Sequence, residues 1–296
     1  MEYSLSESSE DRMALNRHGS SPAVFTDLDG SLLDHDTYEW EPAAEALDRC
    51  RRRGVPVIMV SSKTRAEMEV LRRTLRLDWP FVSENGGGIT FPSSCPQQPP
   101  AEAVLDGEDH IWALGDRYEN LVRILGEIRD ELGWNTLRGF FDMGLEEIGL
   151  HTGLSEQDAV LAVQREYDEP FIVEEREERD MELLVRAAEK RGARVTVGGR
   201  FFHLFGSCDK GVAVNRLTAW LRTERSGLRT LGLGDSPNDL PMLREVDVPV
   251  LIRSASPAVD LVEAVPGIRV TEETGPAGWN LAVLDFLEDC VNGGEF

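Results

Sequence analysis

Asp27 and Asp29 stand two positions apart at the end of the run Val24-Phe25-Thr26-Asp27-Leu28-Asp29-Gly30-Ser31-Leu32. The β-favouring residues ahead of them read as a short buried strand, and Gly30 turns the chain as it leaves. Carboxylates at this spacing on a strand end can face one small site, where an oxygen-seeking Mg²⁺ balances their charge. The pair suits phosphoryl transfer, one carboxylate attacking phosphorus and the other handling protons. An acidic turn after a strand accounts for this segment equally well.

Three further segments carry matching chemistry. In Val60-Ser61-Ser62-Lys63-Thr64 an apolar strand ends in hydroxyls and a lysine. A hydroxyl there can donate to a phosphate oxygen, or cap the next helix. In Ser207-Cys208-Asp209-Lys210-Gly211, Asp209 is placed as an N-cap and leaves Lys210 in the first helical turn. A cation at that end opposes the helix dipole, a cost that makes sense if Lys210 faces an anion or a cluster of carboxylates. In Leu231-Gly232-Leu233-Gly234-Asp235-Ser236-Pro237-Asn238-Asp239 a strand ends at Asp235, Ser236 caps the next helix and Pro237 opens it. Three acidic or amide side chains in five residues crowd charge at a strand end, and Mg²⁺ is the cation suited to hard oxygens.

The elements that position these residues alternate. A helix over 41–53, a strand over 55–60, a helix over 63–75 and a strand over 81–83 indicate a parallel α/β sheet. Four prolines between 91 and 100 mark an irregular connection. From there to about 198 the reading changes, with strands at 111–114, 137–142 and 171–174 and helices at 118–132, 157–166 and 179–190. This is expected to be an α+β module inserted into the first domain. The α/β pattern resumes with a helix over 210–221, strands over 230–233 and 248–252, a helix over 237–245 and a last helix over 280–290. The expected organisation is a disordered leader (1–21), a core in two parts (22–91 and 198–296), and an inserted cap (92–197). Parallel sheets bind ligands beyond the carboxyl ends of their strands, and Asp27, Ser61 and Asp235 all fall there.

Composition narrows the partners. The 296 residues carry a net charge of −23, from 54 acidic and 31 basic side chains. Such a surface repels nucleic acid and anionic membranes, so neither is an expected partner. Four scattered cysteines form neither a zinc motif nor a disulfide framework. No segment reaches transmembrane length, and a cytoplasmic location is expected.

Asp27-Leu28-Asp29-Gly30, Ser61, Lys210 and Gly234-Asp235-Ser236-Pro237-Asn238-Asp239 resemble, in order, the four motifs of the haloacid dehalogenase-like (HAD) phosphatases. The resemblance implies a Rossmann-like parallel α/β core with a C2-type cap. It implies Asp27 as nucleophile, Asp29 as general acid/base, and Ser61 and Lys210 as phosphoryl binders. It also implies Mg²⁺ held by Asp27, by the main-chain carbonyl of Asp29 and by Asp235, with Asp239 a direct or supporting ligand.

Finer features resemble the mannosyl-3-phosphoglycerate phosphatase family: Ser62-Lys63-Thr64-Arg65, Ser83-Glu84-Asn85-Gly86-Gly87-Gly88, Gln164-Arg165-Glu166-Tyr167-Asp168-Glu169-Pro170 and Gly198-Gly199-Arg200-Phe201-Phe202-His203. That family makes the compatible solute mannosylglycerate from its phosphorylated precursor. A substrate bearing phosphate, carboxylate and sugar needs cations besides Lys210, and Lys63, Arg65, Arg165, Arg200 and His203 are the candidates. Asn85, Gly86 and Gly87 join them as substrate-binding residues, the glycines letting backbone N–H groups approach a ligand. Other readings are a glucosyl-3-phosphoglycerate, sucrose- or trehalose-phosphate phosphatase, a phosphomutase, or a non-catalytic binding protein on the same fold. Ser31 replaces the threonine usual in the first motif and keeps its hydroxyl.

Overall fold

The computed structural model describes residues 20–173, 178–198, 201–254 and 259–292. The expected leader (all but its last two residues), Glu174 at the end of one expected strand, and Arg200 lie outside the described residues. Thirteen strands are described: β1 (Ser21–Thr26), β2 (Val57–Met59), β3 (Phe81–Ser83), β4 (Gly88–Phe91), β5 (Val104–Asp106), β6 (Asp109–Ala113), β7 (Arg138–Gly139), β8 (Asp168–Ile172), β9 (Arg194–Gly198), β10 (Phe201–Phe205), β11 (Leu228–Gly234), β12 (Val248–Arg253) and β13 (Arg269–Thr274). The chain divides into two compact units, Met1–Met59 with Val214–Phe296, and Val60–Ala213.

The first unit is built on a five-stranded, all-parallel sheet in the order β13-β12-β11-β1-β2. Its central strands are apolar nearly throughout and buried, as expected where helices cover both faces. Thr26 pairs with Leu233 and Gly234 with Leu251, so β1, β11 and β12 end at the same level. Strand order runs outward in opposite directions from the β1–β11 seam, and such a reversal opens a crevice at the carboxyl ends. Helix Ala44–Arg53 ends on Gly54 in the left-handed conformation (φ 64°), and the long helix Gly275–Asn292 packs on the sheet through Trp279, Val283 and Phe286.

The second unit holds two antiparallel four-stranded sheets, β3-β4-β6-β5 and β7-β8-β10-β9. Helices Tyr118–Leu132 and Glu178–Glu189 pack on β8 and β10 through Leu121, Ile124, Leu125, Leu184, Phe171 and Leu204. A smaller core joins Phe140, Ile148, Ala159 and Phe201.

Several expectations are corrected here. The strand at 81–83 meets the parallel pattern only through one bridge, Val60 to Val82; its partner is β4, antiparallel, in a segment read as turn and irregular connection. β10 was placed in the second part of the core, yet it pairs on both sides with cap strands β8 and β9. The expected boundary at 197 therefore falls within the paired strands β9 and β10. The second compact unit likewise begins at Val60, well before residue 92. The expected strand over 137–142 is only two residues long and passes into a 3-10 turn at Phe140–Asp142. Strands β5, β9 and β13 and helix Leu145–Thr152 were not anticipated.

Candidate active site

At the β1–β11 seam, Asp27, Asp235 and Asp239 each bring a carboxylate oxygen within 4.8 Å of the others. Asp27 sits one residue past β1 and its N–H donates to the Leu233 carbonyl of β11 at 2.8 Å, so the strand pairing itself fixes its backbone. The turn beyond is tied by Ser31 and Leu33 N–H groups donating to the Leu28 carbonyl (3.0 and 2.8 Å), and by Gly30 N–H donating to Leu33 (2.9 Å). Gly30 has φ 83°, and a Cβ built on it would lie 2.5 Å from Asp235 Oδ2. Only glycine lets this turn pass so close to that carboxylate. Asp29, half-buried, occupies the same turn and bridges to Leu33.

After β11 the chain folds on Asp239. Its Oδ2 accepts from Asp235 N–H and Ser236 N–H, each at 3.1 Å, and the single hydrogen of the Ser236 hydroxyl lies within reach of both Asp239 Oδ2 (3.1 Å) and Asn238 Oδ1. Pro237 opens the 3-10 turn Pro237–Asp239, as expected for that position. Asp239 thus orients the loop carrying Asp235. Three converging carboxylates supply hard oxygen donors, and the set fits a divalent cation such as Mg²⁺.

Within the second unit, Ser61 follows the carboxyl end of β2 and is buried; its N–H donates to Val82 and its Oγ accepts from Lys63 N–H at 3.3 Å. Thr64 is the N-cap of helix Arg65–Leu75, in a capping box with Glu67. The hydroxyl-rich segment therefore contains both readings: Thr64 is the cap, which leaves Ser61 outside that role. Lys210 begins helix Lys210–Arg222, and Asp209 Oδ1 accepts from Val212 N–H at 3.0 Å as an N-cap does. Its side chain is only 1% exposed, and an ammonium so buried requires acidic or polar company.

The segment Ser83–Gly88 is the hub of this unit. Glu84 and Asn85 both have positive φ (49° and 55°), and the Glu84 carboxylate accepts from the N–H groups of Glu166, Tyr167 and Asp168 at 2.7–3.0 Å. Asp168 accepts from Asn85 Nδ2 at 2.8 Å and pairs with His203 Nδ1 at 2.9 Å, all three buried. Burial pushes Glu84 up to about 7 against the opposing effects of Arg165 and the Tyr167 N–H. Glu169 is likewise pushed up to about 7, by burial, despite hydrogen bonds from Tyr118 and the Phe141 N–H. Desolvation works against the Arg165 cation, but Asp168, Glu67, Glu84 and Glu169 outweigh it and raise its pKa. Its guanidinium donates to the Ala162 and Ser62 carbonyls and lies over the Phe140 ring.

Other expected binders are already engaged. Arg65 is paired with Asp106 at 2.8 Å and Glu166 at 2.7 Å. The glycine run, read as a cradle for ligand, is required by the chain's own packing. A Cβ on Gly86 would meet the Asp209 carbonyl at 2.2 Å, and on Gly87 the Tyr167 Cβ at 2.2 Å. Asp168 and Glu84 were not singled out as site residues, although each lies in a run quoted for the family resemblance, Glu84 ahead of three glycines and Asp168 among charged neighbours.

Residues 24–98 match the family of haloacid dehalogenase-like hydrolases. The chain is 40% identical over 266 residues to the glucosyl-3-phosphoglycerate/mannosyl-3-phosphoglycerate phosphatase of Methanococcoides burtonii, covering 89% of this chain and 96% of that one. It belongs to this family of haloacid dehalogenase-like phosphatases. The phosphatase of the same description from Persephonella marina is 38% identical over 274 residues, covering 91% and 98%. The sucrose-phosphatase of Synechocystis sp. PCC6803, solved with sucrose and phosphate, shares the fold at a TM-score of 0.60 and 17% identity, over 90% of this chain and 98% of that one. Membership carries with it the α/β core with a cap domain. Among the described residues no helix of this HAD phosphatase is long and apolar enough to cross a membrane. None of the four cysteines, all among the described residues, is in a disulfide, and burial pushes the Cys50 thiol up to about 12.

Proposed function

We propose that the chain is a cytoplasmic, Mg²⁺-dependent phosphatase that hydrolyses mannosyl-3-phosphoglycerate to mannosylglycerate and phosphate. The observation that carries this reading is the convergence of Asp27, Asp235 and Asp239 at the seam of the parallel sheet. The double name of the relatives favours glucosyl-3-phosphoglycerate as a second substrate of the same site.

As a carboxylate, Asp27 attacks without prior deprotonation. Its carboxylate oxygen forms a bond to phosphorus as the bond to the glyceryl oxygen breaks. Asp29 gives its proton to that departing alkoxide. Asp29 then takes a proton from water, whose oxygen bonds to phosphorus as the Asp27–phosphorus bond breaks, releasing phosphate and restoring the carboxylate. Asp27, Asp235, Asp239 and the Asp29 carbonyl would hold Mg²⁺, which when bound offsets the negative charge of phosphate and carboxylate. Ser61 and Lys210 take the phosphoryl oxygens, an assignment resting on their motif positions. Lys63, Arg165, Asn85 and His203 are assigned to the sugar and glycerate; Asp168 and Glu84 support them by holding Asn85, His203 and the 166–168 backbone.

Phosphate release with Mg²⁺ tests the assignment across mannosyl- and glucosyl-3-phosphoglycerate, sucrose phosphate and trehalose phosphate. Turnover of the glycosyl phosphoglycerates above the others is expected. Turnover of sucrose phosphate with neither phosphoglycerate ester hydrolysed would overturn it.

A further inference from the structure

We infer that Trp279 and Thr26 are positioning residues that lock the backbone of Asp27 through a directed hydrogen-bond relay; this rests on the proposed role of Asp27 as nucleophile. The Trp279 indole Nε1–H donates to Thr26 Oγ1 at 2.9 Å, and the Thr26 hydroxyl donates to the Asp27 carbonyl at 2.6 Å. An indole nitrogen can only donate, and a hydroxyl has a single hydrogen. The indole therefore fills an acceptor position on Oγ1, and the one hydroxyl hydrogen lies on the Asp27 carbonyl. Two bonds in series in a buried interior also polarise each other. Both Thr26 and Trp279 are fully buried, so no solvent competes for either bond.

The donor end of the relay is itself fixed. A Cβ on the preceding Gly278 would meet the Glu273 carbonyl at 2.3 Å, so the helix start is pressed against the end of β13. The following residue, Asn280, accepts from Ala46 N–H at 2.9 Å. At the other end, Asp27 N–H is held by Leu233. The nucleophile's peptide groups are thus clamped on both sides, N–H to β11 and C=O to the Thr26–Trp279 relay. This sets the direction of its side chain toward Asp235 and Asp239. The helix carrying Trp279 contains none of the four motifs, and 253 residues separate the two partners.

Four variants test the relay: Thr26→Val, Thr26→Ser, Trp279→Phe and Thr26→Val/Trp279→Phe, each measured for kcat, KM and thermal midpoint. Misplacing a reacting group costs rate without loss of substrate binding, so Thr26→Val is expected to lower kcat roughly 10-fold with KM changed less than about 2-fold. Thr26→Ser keeps the hydroxyl and is expected to recover most of that loss. Trp279→Phe is expected to lower kcat by roughly 3-fold, and the double variant to be no slower than Thr26→Val, since both changes break one relay. Should Thr26→Val fail to fold, Trp279→Phe and Thr26→Ser carry the test. A purely structural role predicts a lower midpoint with wild-type kcat in the folded enzyme, and that result overturns the inference, as do fully multiplicative effects. Asp27→Asn run alongside separates the two levels. If it is inactive while the relay variants keep wild-type kcat, the relay alone is wrong; if it turns over at the wild-type rate, the nucleophile assignment is wrong and the relay falls with it.

Discussion

Gly30→Ala isolates how closely the first motif must approach the loop carrying Asp235. The position has φ 83°, and a methyl there would sit 2.5 Å from Asp235 Oδ2 and 3.0 Å from its Cγ. Ordinary contact begins at 3.4 Å, so the carboxylate must retreat by about 0.9 Å or the turn must open. Mg²⁺ holds its oxygens at ~2.0–2.1 Å in near-ideal octahedral geometry, and a displacement of that size removes one ligand. The expected result is a fall in Mg²⁺ affinity of about 10- to 100-fold, with phosphatase activity partly restored at saturating Mg²⁺. The left-handed backbone adds a separate cost of ~1–2 kcal/mol in stability. Gly54→Ala provides the control, because it shares the left-handed conformation (φ 64°) with nothing within 4 Å of the added methyl. Both variants should lose similar stability in denaturant unfolding, and only Gly30→Ala should shift the Mg²⁺ dependence in calorimetry and activity titrations. Equal Mg²⁺ titration curves for Gly30→Ala and wild type would refute the argument that the turn and Asp235 are packed in contact.

Two further outcomes follow from the second unit. Glu84 is raised to about 7 in the folded protein from an ordinary value near 4.5, so the native state binds the proton more tightly than the unfolded one. Its stabilising contribution is full below pH ~4.5 and is lost as pH rises through ~7, at up to ~1.4 kcal/mol per pH unit. Glu84→Gln should flatten that part of the stability–pH curve in urea unfolding between pH 5 and 7.5, and an unchanged slope would refute the assignment. Asp168→Asn removes the charge that holds Asn85 Nδ2 and His203 Nδ1. Steady-state kinetics should show KM raised about 10-fold with kcat little changed, the size expected from loosening one or two buried hydrogen bonds; a loss confined to kcat would remove these residues from substrate binding.

The catalytic half of the molecule was legible in the sequence because its signals are local. The runs ending at Thr26 and Gly234 are apolar strands stopped by aspartates, and Asp209 and Pro237 mark helix starts by their own chemistry. What escaped was set by partners distant in sequence. Gly88–Phe91 became a strand through antiparallel pairing with Phe81–Ser83 and with Asp109–Ala113, which the glycine run 86–88 at its start hid. Phe201–Phe205 was assigned to the wrong domain because its neighbours in the sheet, not its own pattern, decide where it belongs. Gly86 and Gly87 were read as letting backbone N–H groups approach a ligand; their close packing against Asp209 and Tyr167, which leaves no space for a Cβ, comes from residues distant in sequence. Trp279 gave no sign at all, since an indole in a helix reads as core until its N–H finds Thr26.

The claim at the centre of this account is that phosphate passes through the side chain of Asp27. Rapid acid quench of a single turnover, followed by mass analysis of the peptide containing residue 27, tests it directly. The account predicts a phosphorylated peptide that rises and decays within the turnover and is missing from Asp27→Asn. Complete hydrolysis with no phosphate on that peptide at any quench time, or full-speed hydrolysis by Asp27→Asn free of deamidation, would contradict it.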